Sequence, residues 1–236
     1  MRCPMKEIKI LHLLPKLLSL YGEYGNVAVF ANELRKAGFS VTVDSWENGP
    51  LELSGYNFIY IGSGTEDNLL EAARRLKPCS DIIEASISNT TWLATGNAMT
   101  IFGATITRGE ETIPALNVFP YTATIHNGKR YLGDVLTQDD IIGFVNTSTV
   151  YEGITTPLFK LLLNPKLGNT KSDAADGIHE EKFYGTQLIG PILVKNPHFL
   201  MKIAAEVTGK PVILSHTSPL RKAYDISLDE LKKRLQ

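Results

Sequence analysis

An α/β fold with a mainly parallel sheet flanked by helices, and an antiparallel β extension in the second half, is what this chain of 236 residues predicts. Three observations carry the expectation. Short apolar runs alternate with helix-period segments up to Gly103, the order that a parallel sheet covered on both faces requires. Two of those runs end directly in glycine turns, at Gly62-Ser63-Gly64 and Thr95-Gly96. Beyond Gly103 the helical period gives way to short β-rich segments separated by turn residues.

The elements follow in order. Residues 8–14 form an apolar run and make the buried first strand. Arg2, Lys6 and Lys9 precede a leucine-rich stretch there, but His12, Pro15 and Lys16 interrupt it, so it is too short to span a bilayer and is not read as a targeting signal. After the loop Ser19-Leu20-Tyr21-Gly22-Glu23-Tyr24-Gly25, residues 26–37 place Val27, Phe30, Ala31 and Leu34 at helical spacing, and Gly38 ends the helix. Residues 41–43 are a second strand and Phe58-Ile59-Tyr60-Ile61 a third, running into Gly62-Ser63-Gly64-Thr65-Glu66-Asp67. Residues 69–87 are read as one helix and 92–94 as the fourth strand.

In the second half, residues 118–126 and 129–132 flank Asn127-Gly128, the strongest short hairpin signal in the chain. Residues 141–146 are a strand, 158–163 a strand or a helix, and 164–176 an exposed loop rich in Gly, Asn, Ser and Asp. A late strand at 183–186 leads to Gln187-Leu188-Ile189-Gly190-Pro191. Asn196-Pro197 caps a helix to about Val207, and residues 228–235 make a last short helix with Lys232-Lys233-Arg234 at its basic end. No repeat or long linker divides the chain. It is expected to be a single domain, with a core over 6–207 and an extension over 208–236.

Composition narrows the function classes. With 43% hydrophobic residues the chain can bury a full core, and 24 basic against 25 acidic residues leave no basic face for nucleic acid. Cys3 and Cys79 have neither the number nor the spacing of a disulfide framework or a metal site, which fits a reducing cytoplasm. Asn89 and Asn146 begin Asn-x-Ser/Thr matches that are then chance occurrences. His12, His126, His179, His198 and His216 include no pair at the spacing of a zinc site, and Glu66, Asp67, Asp139 and Asp140 read as caps and solvated loop residues. No metal and no cofactor are implied.

The segment Thr91-Trp92-Leu93-Ala94-Thr95-Gly96-Asn97-Ala98-Met99 has the layout of a nucleophile elbow: a strand, a sharp turn at a glycine, then a helix. Such a turn pushes one side chain out at the strand's carboxyl end and offers backbone N–H groups to a developing oxyanion. Thr95 occupies the place expected of the nucleophile, and its hydroxyl is a poor one without a positioned base. Gly62-Ser63-Gly64 reads as an oxyanion-hole remnant or as a simple tight turn; it lacks a full phosphate-loop pattern.

Taken in order, these motifs resemble the class I glutamine amidotransferases of the cobyric acid synthase type, and within them the amidotransferase subunits of lipid II isoglutaminyl synthases. The resemblance spans roughly Ile8 to Ala205. It rests on Tyr21-Gly22-Glu23-Tyr24-Gly25-Asn26, Ile61-Gly62-Ser63-Gly64, the elbow, Gly143-Phe144-Val145-Asn146, Gly177-Ile178-His179 and Gly185-Thr186-Gln187-Leu188-Ile189-Gly190-Pro191. It implies a flavodoxin-like sheet. It also implies a cysteine at the elbow, where Thr95 stands, and a histidine base before the late Gly-Pro pair, where Ile189 stands. Asn97 and Met99 replace a second elbow glycine and a glutamine, and Thr147-Ser148-Thr149-Val150 replaces a His-Gly-Gly-Arg run after Asn146.

Two functions are therefore expected as alternatives. One is a pseudo-amidotransferase, a noncatalytic subunit that serves a Mur-ligase-like amidating enzyme of peptidoglycan metabolism, or binds a small ligand in the former glutamine pocket through Gly62, Ser63, Gly64, Thr95, Gly96 and Asn146. The other is a working amidotransferase-type hydrolase with Thr95 or a relocated group as nucleophile. On the first reading Thr95 sits in strained backbone with its hydroxyl near Gly64 and the Gly96 N–H, and Ile189 faces it across the cleft.

Overall fold

A computed structural model of the chain describes residues 7–215 and 218–235. Cys3 and His216 lie outside the described residues.

The core is a six-stranded sheet in the order β13-β14-β4-β3-β1-β2, formed by β1 (Glu7–Leu13), β2 (Ser40–Trp46), β3 (Phe58–Ile61), β4 (Thr91–Thr95), β13 (Ile178–Glu180) and β14 (Phe183–Thr186). All neighbours pair in parallel except β13, which runs antiparallel to β14 at the edge. Taking β14 as the fifth parallel strand, the order is the 2-1-3-4-5 of flavodoxin-like folds, in which ligand sites gather beyond the carboxyl ends of the strands near the β1/β3 reversal. The apolar runs of β1, β3 and β4 are buried on both faces, as a covered parallel sheet demands.

Helices close both faces. On one side α1 (Tyr24–Lys36), α4 (Ile192–Lys195) and α5 (Pro197–Thr208) pack Val27, Phe30, Leu34, Leu200 and Ile203 against Ile8, Ile10, Phe58 and Leu93. On the other, α2 (Glu66–Leu76) and α3 (Ser80–Ile87) pack Leu69, Leu76 and Ile83 against Ile59, Ile61 and Trp92. The single helix expected over 69–87 is two: Lys77-Pro78-Cys79 forms a 3₁₀ turn between them, because proline supplies no N–H to the ladder and clashes with the preceding turn. Thr65 caps α2, its side chain accepting the Asn68 N–H at 3.2 Å.

Two four-stranded sheets make the extension. One has the order β10-β7-β5-β6, from β5 (Thr105–Arg108), β6 (Glu111–Pro114), β7 (Thr122–Ile125) and β10 (Thr149–Glu152). The other has the order β12-β11-β8-β9, from β8 (Tyr131–Thr137), β9 (Ile142–Thr147), β11 (Phe159–Leu163) and β12 (Ala175–Asp176). The hairpin expected at Asn127-Gly128 does not form. β7 and β8, on its two sides, belong to different sheets, with β7 pairing β10 and β5 while β8 pairs β9 and β11. Pairing with distant strands overrides the local turn signal, although Gly128 keeps the positive φ (73°) of a turn.

Residues 164–176 are not a simple exposed loop either: Asn169 and Asp176 are buried, and their side chains bond Gly177, Thr186 and Gln187. Asn196 does not cap α5 with its side chain. It bonds the backbone N–H and carbonyl of Ile142 at 2.8 Å each, tying α4 to β9. The last helix, α6 (Pro219–Lys233), is longer than expected and packs Tyr224, Leu228 and Leu231 against Leu136, Ile142 and Leu163. No helix among the described residues is long and apolar enough to cross a membrane.

Candidate functional site

Four connections meet beyond the carboxyl ends of the parallel strands: the loop after β1 that carries Glu23, the Gly62-Ser63-Gly64 turn after β3, the elbow after β4, and Gln187-Leu188-Ile189-Gly190 after β14. β4 runs straight to Thr95, whose backbone is ordinary extended strand (φ −118°, ψ 149°). The left-handed residue of the turn is Gly96, at φ +62°. The chain then winds as a 3₁₀ helix over Gly96–Phe102 rather than as an α-helix. Strain at an elbow belongs to the residue that projects the reactive side chain. The apex is therefore Gly96, one residue later than the sequence suggested, and it projects no side chain.

Strand alternation explains where Thr95 points. Thr91, Leu93 and Thr95 share one face of β4, and Leu93 packs with the α1 side of the core. The Thr95 hydroxyl accordingly does not approach the Gly96 N–H or Gly64. It donates a short hydrogen bond to Glu23 Oε2 and lies 2.7 Å from the Tyr60 hydroxyl. Tyr60 also donates to Glu23 Oε2 at 2.9 Å, and accepts from Asn26 Nδ2 at 2.9 Å. Glu23 Oε1 takes the Gly190 N–H at 3.0 Å, and Asn26 Oδ1 takes the Leu193 N–H at 2.8 Å. Thr95, Glu23, Tyr60 and Asn26 are all fully buried.

Burial dominates the titration of this cluster. It raises the Glu23 pKa, against the opposing pull of the Thr95, Gly190 and Tyr60 hydrogen bonds and the charge of Lys195. Burial likewise holds the Tyr60 phenol well above its ordinary range, helped by the neighbouring Glu23 charge. The network sews together β3, β4, α1 and the β14–α4 connection, and each group in it is hydrogen-bonded, as buried polar groups must be.

Ser63 and Ile189 fill the space in front of the apex. A Cβ built on Gly96 would overlap the Ser63 hydroxyl and come within 2.8 Å of Ile189 Cγ2. Ser63 Oγ donates to the Thr95 carbonyl at 3.3 Å, and Ile189 is buried with its N–H bonded to the Phe144 carbonyl at 2.9 Å. Ile189 thus faces Gly96 rather than Thr95. The Gly64 N–H donates to Asn97 Oδ1 at 3.1 Å, while Asn97 Nδ2 returns a bond to the Gly64 carbonyl at 2.8 Å. That clamp fixes the turn against the elbow and occupies the N–H an oxyanion hole would use. Asn146 stands off this cluster: its Nδ2 bonds the Tyr21 hydroxyl at 3.1 Å, and its buried Oδ1 has no partner among the described residues.

No protein-family profile matches the chain. Against curated proteins it is 27% identical over 218 residues, covering 88% of each chain, to a protein of Staphylococcus aureus named lipid II isoglutaminyl synthase (glutamine-hydrolyzing) subunit GatD. It is 22% identical over 219 residues, covering 86% of this chain and 82% of the other, to the subunit of the same name from Streptococcus pneumoniae. The chain resembles glutamine amidotransferase subunits over most of its length. Among solved structures it superposes on a crystal structure of a glutamine amidotransferase with a TM-score of 0.51 at 13% identity, over 83% of this chain and 98% of that one, a likeness of fold.

Sequence reasoning placed Gly62, Ser63, Gly64, Thr95, Gly96, Ile189 and Asn146 at one point; the structure gathers the Gly62-Ser63-Gly64 turn, Gly96 and Ile189 there, turns the Thr95 side chain toward Glu23 and Tyr60, and sets Asn146 apart beside Tyr21. It missed the roles of Glu23, Asn26 and Tyr60. Glu23 and Asn26 belong to the motif that carried the resemblance. Tyr60 had its own signal, as a polar-tipped residue inside an apolar strand.

Proposed function

We propose that this chain is a catalytically silent amidotransferase-like subunit, serving a Mur-ligase-like amidating enzyme in peptidoglycan metabolism in the cytoplasm. Residues 6–207 supply the amidotransferase-like core and 208–236 an extension, whose helix α6 packs on that core. The observation that carries the reading is the apex itself: Gly96 offers no nucleophile, and Ser63 and Ile189 occupy the volume one would project into. Ile189 provides no proton acceptor, and Asn97 takes the Gly64 N–H. Removing the nucleophile of a cooperating set costs on the order of 10⁴–10⁶ in rate, and removing the base as well adds little. What supports the partner is the name of the two relatives, each a subunit of a lipid II isoglutaminyl synthase.

A second reading has one observation in its favour. Thr95 and Glu23 form a hydroxyl–carboxylate pair in direct hydrogen-bond contact, the arrangement of a nucleophile and its base. Both are fully buried, so substrate would reach them only if the packing around them opened. On that reading glutamine hydrolysis exists and vanishes in Thr95→Val.

The test of the proposed role is affinity purification of the tagged chain from its native host, with mass spectrometry of what accompanies it. An ATP-dependent ligase of the Mur type in stoichiometric amount is the expected result. Recovery of the chain without such a ligase would overturn the assignment.

A further inference from the structure

A polar cavity lies where the two four-stranded sheets meet α2. Its volume is about 320 Å³, within the range of small-molecule sites. Its wall draws on separated parts of the chain: Glu66 in the first turn of α2, Arg108 at the end of β5, His126, Lys129 and Arg130 in the segment joining β7 to β8, and Ser148 between β9 and β10.

Arg108, Lys129 and Arg130 supply three positive charges at the cavity, and Glu66, Asp67 (bonded to Arg108) and Glu111, paired with Arg108 across β5 and β6, supply three negative ones. Two of the acids are already engaged. Glu66 Oε1 accepts from Arg130 Nη2 and from Ser148 Oγ, each at 2.9 Å, and Asp67 Oδ1 accepts from Arg108 Nη1 at 2.5 Å. A guanidinium has five N–H donors in a planar fork, so each arginine keeps most of its donors beyond that single bond. The Arg108 and Arg130 side chains remain 35% and 41% exposed, which leaves those donors within reach of a solute. Lys129 also lines the cavity, its Nζ 4.9 Å from the Tyr131 ring centroid.

We propose that this cavity binds a small oxyanion, a phosphate or carboxylate group with two or more acceptor oxygens, through Arg108, Arg130 and Lys129. Glu66, pinned by Arg130 and Ser148, holds the Arg130 fork in place. The proposal stands apart from the elbow and holds whether or not that site is catalytically silent.

The experiment is titration of the isotopically labelled full chain, followed by amide chemical shifts, with inorganic phosphate and separately with malonate at constant ionic strength, chloride serving as control. Saturable shifts confined to residues 126–130, Ser148 and the start of α2 are expected. The tighter of the two anions identifies the source, and equal responses leave the shared oxyanion chemistry standing. Arg108→Gln and Lys129→Gln should each weaken binding by about tenfold. Lys129 lies in an exposed turn, so its variant keeps the fold and carries the test alone if Arg108→Gln does not. Shifts no larger than those with chloride, shifts spread over the whole surface, or affinity unchanged in Lys129→Gln would overturn the proposal.

Discussion

The Ser63 hydroxyl stands in the position that a side chain on Gly96 would occupy. The two residues are complementary, since one lacks the side chain and the other fills its place. Gly96→Cys should therefore destabilise the protein twice over, by about 1–2 kcal/mol for a left-handed backbone with a Cβ and by about 1–3 kcal/mol for the overlap. Adding Ser63→Gly should recover much of the overlap and none of the backbone cost, with Ile189 Cγ2 still in close contact. Urea unfolding of the four proteins in a double-mutant cycle measures this, and additive effects would show that Ser63 does not fill the site.

Glu23 makes a pH prediction of definite sign. Burial raises its pKa above the ordinary 4.5, so between the two values the folded chain binds the proton that the unfolded chain has released. Its contribution to stability is complete below about pH 4.5 and is lost as pH rises through the folded value. Glu23→Gln should remove that component, so the stability of the variant relative to wild type should rise with pH. Unfolding midpoints at a series of pH values would show it, and parallel curves would count against a buried, proton-binding Glu23.

His12 should act in the opposite direction. It is buried at the end of β1 against the Tyr60 ring, its Nε2 has no partner among the described residues, and burial lowers its pKa from 6.5 to about 4. The unfolded chain takes up the proton first as pH falls. Its contribution is therefore present above about pH 6.5 and is lost as pH falls toward 4, by at most about 3 kcal/mol. His12→Leu should flatten that acid limb, and near neutral pH it should cost little because it removes an unpaired buried nitrogen. An unchanged acid limb would contradict the placement of His12.

Thr95→Val tests whether the buried network is structural. Valine keeps the shape but withdraws a hydrogen bond from Glu23 and another partner from Tyr60. A loss of about 1–3 kcal/mol is expected from leaving buried polar groups short of partners. Calorimetric melting of the variant checks it, and a change within a few tenths of a kcal/mol would mean that the cluster does not support the fold.

What the sequence disclosed follows from how local each feature is. The strands at Glu7–Leu13, Phe58–Ile61 and Phe183–Thr186 are apolar runs bounded by turns, and α1 carries its buried stripe and terminal glycine in one segment. The split at Pro78 was also local, and the strong helical period on both sides concealed it. The Asn127-Gly128 turn misled because β7 and β8 find their partners elsewhere, a choice no short window contains. At the elbow a hydroxyl drew attention to Thr95, whereas the decisive conformation is that of a glycine beside it. The Glu23–Tyr60–Thr95 network joins three segments far apart in sequence, so its function was invisible until the sheet order brought them together.

The central claim is that this elbow performs no hydrolysis. The most direct measurement is ammonia release from glutamine by the purified chain, alone and with any ligase that accompanies it, beside Thr95→Val. The account predicts no release above the uncatalysed background and no difference between wild type and variant. Turnover by the wild type that is abolished in Thr95→Val would contradict it and assign catalysis to the Thr95–Glu23 pair.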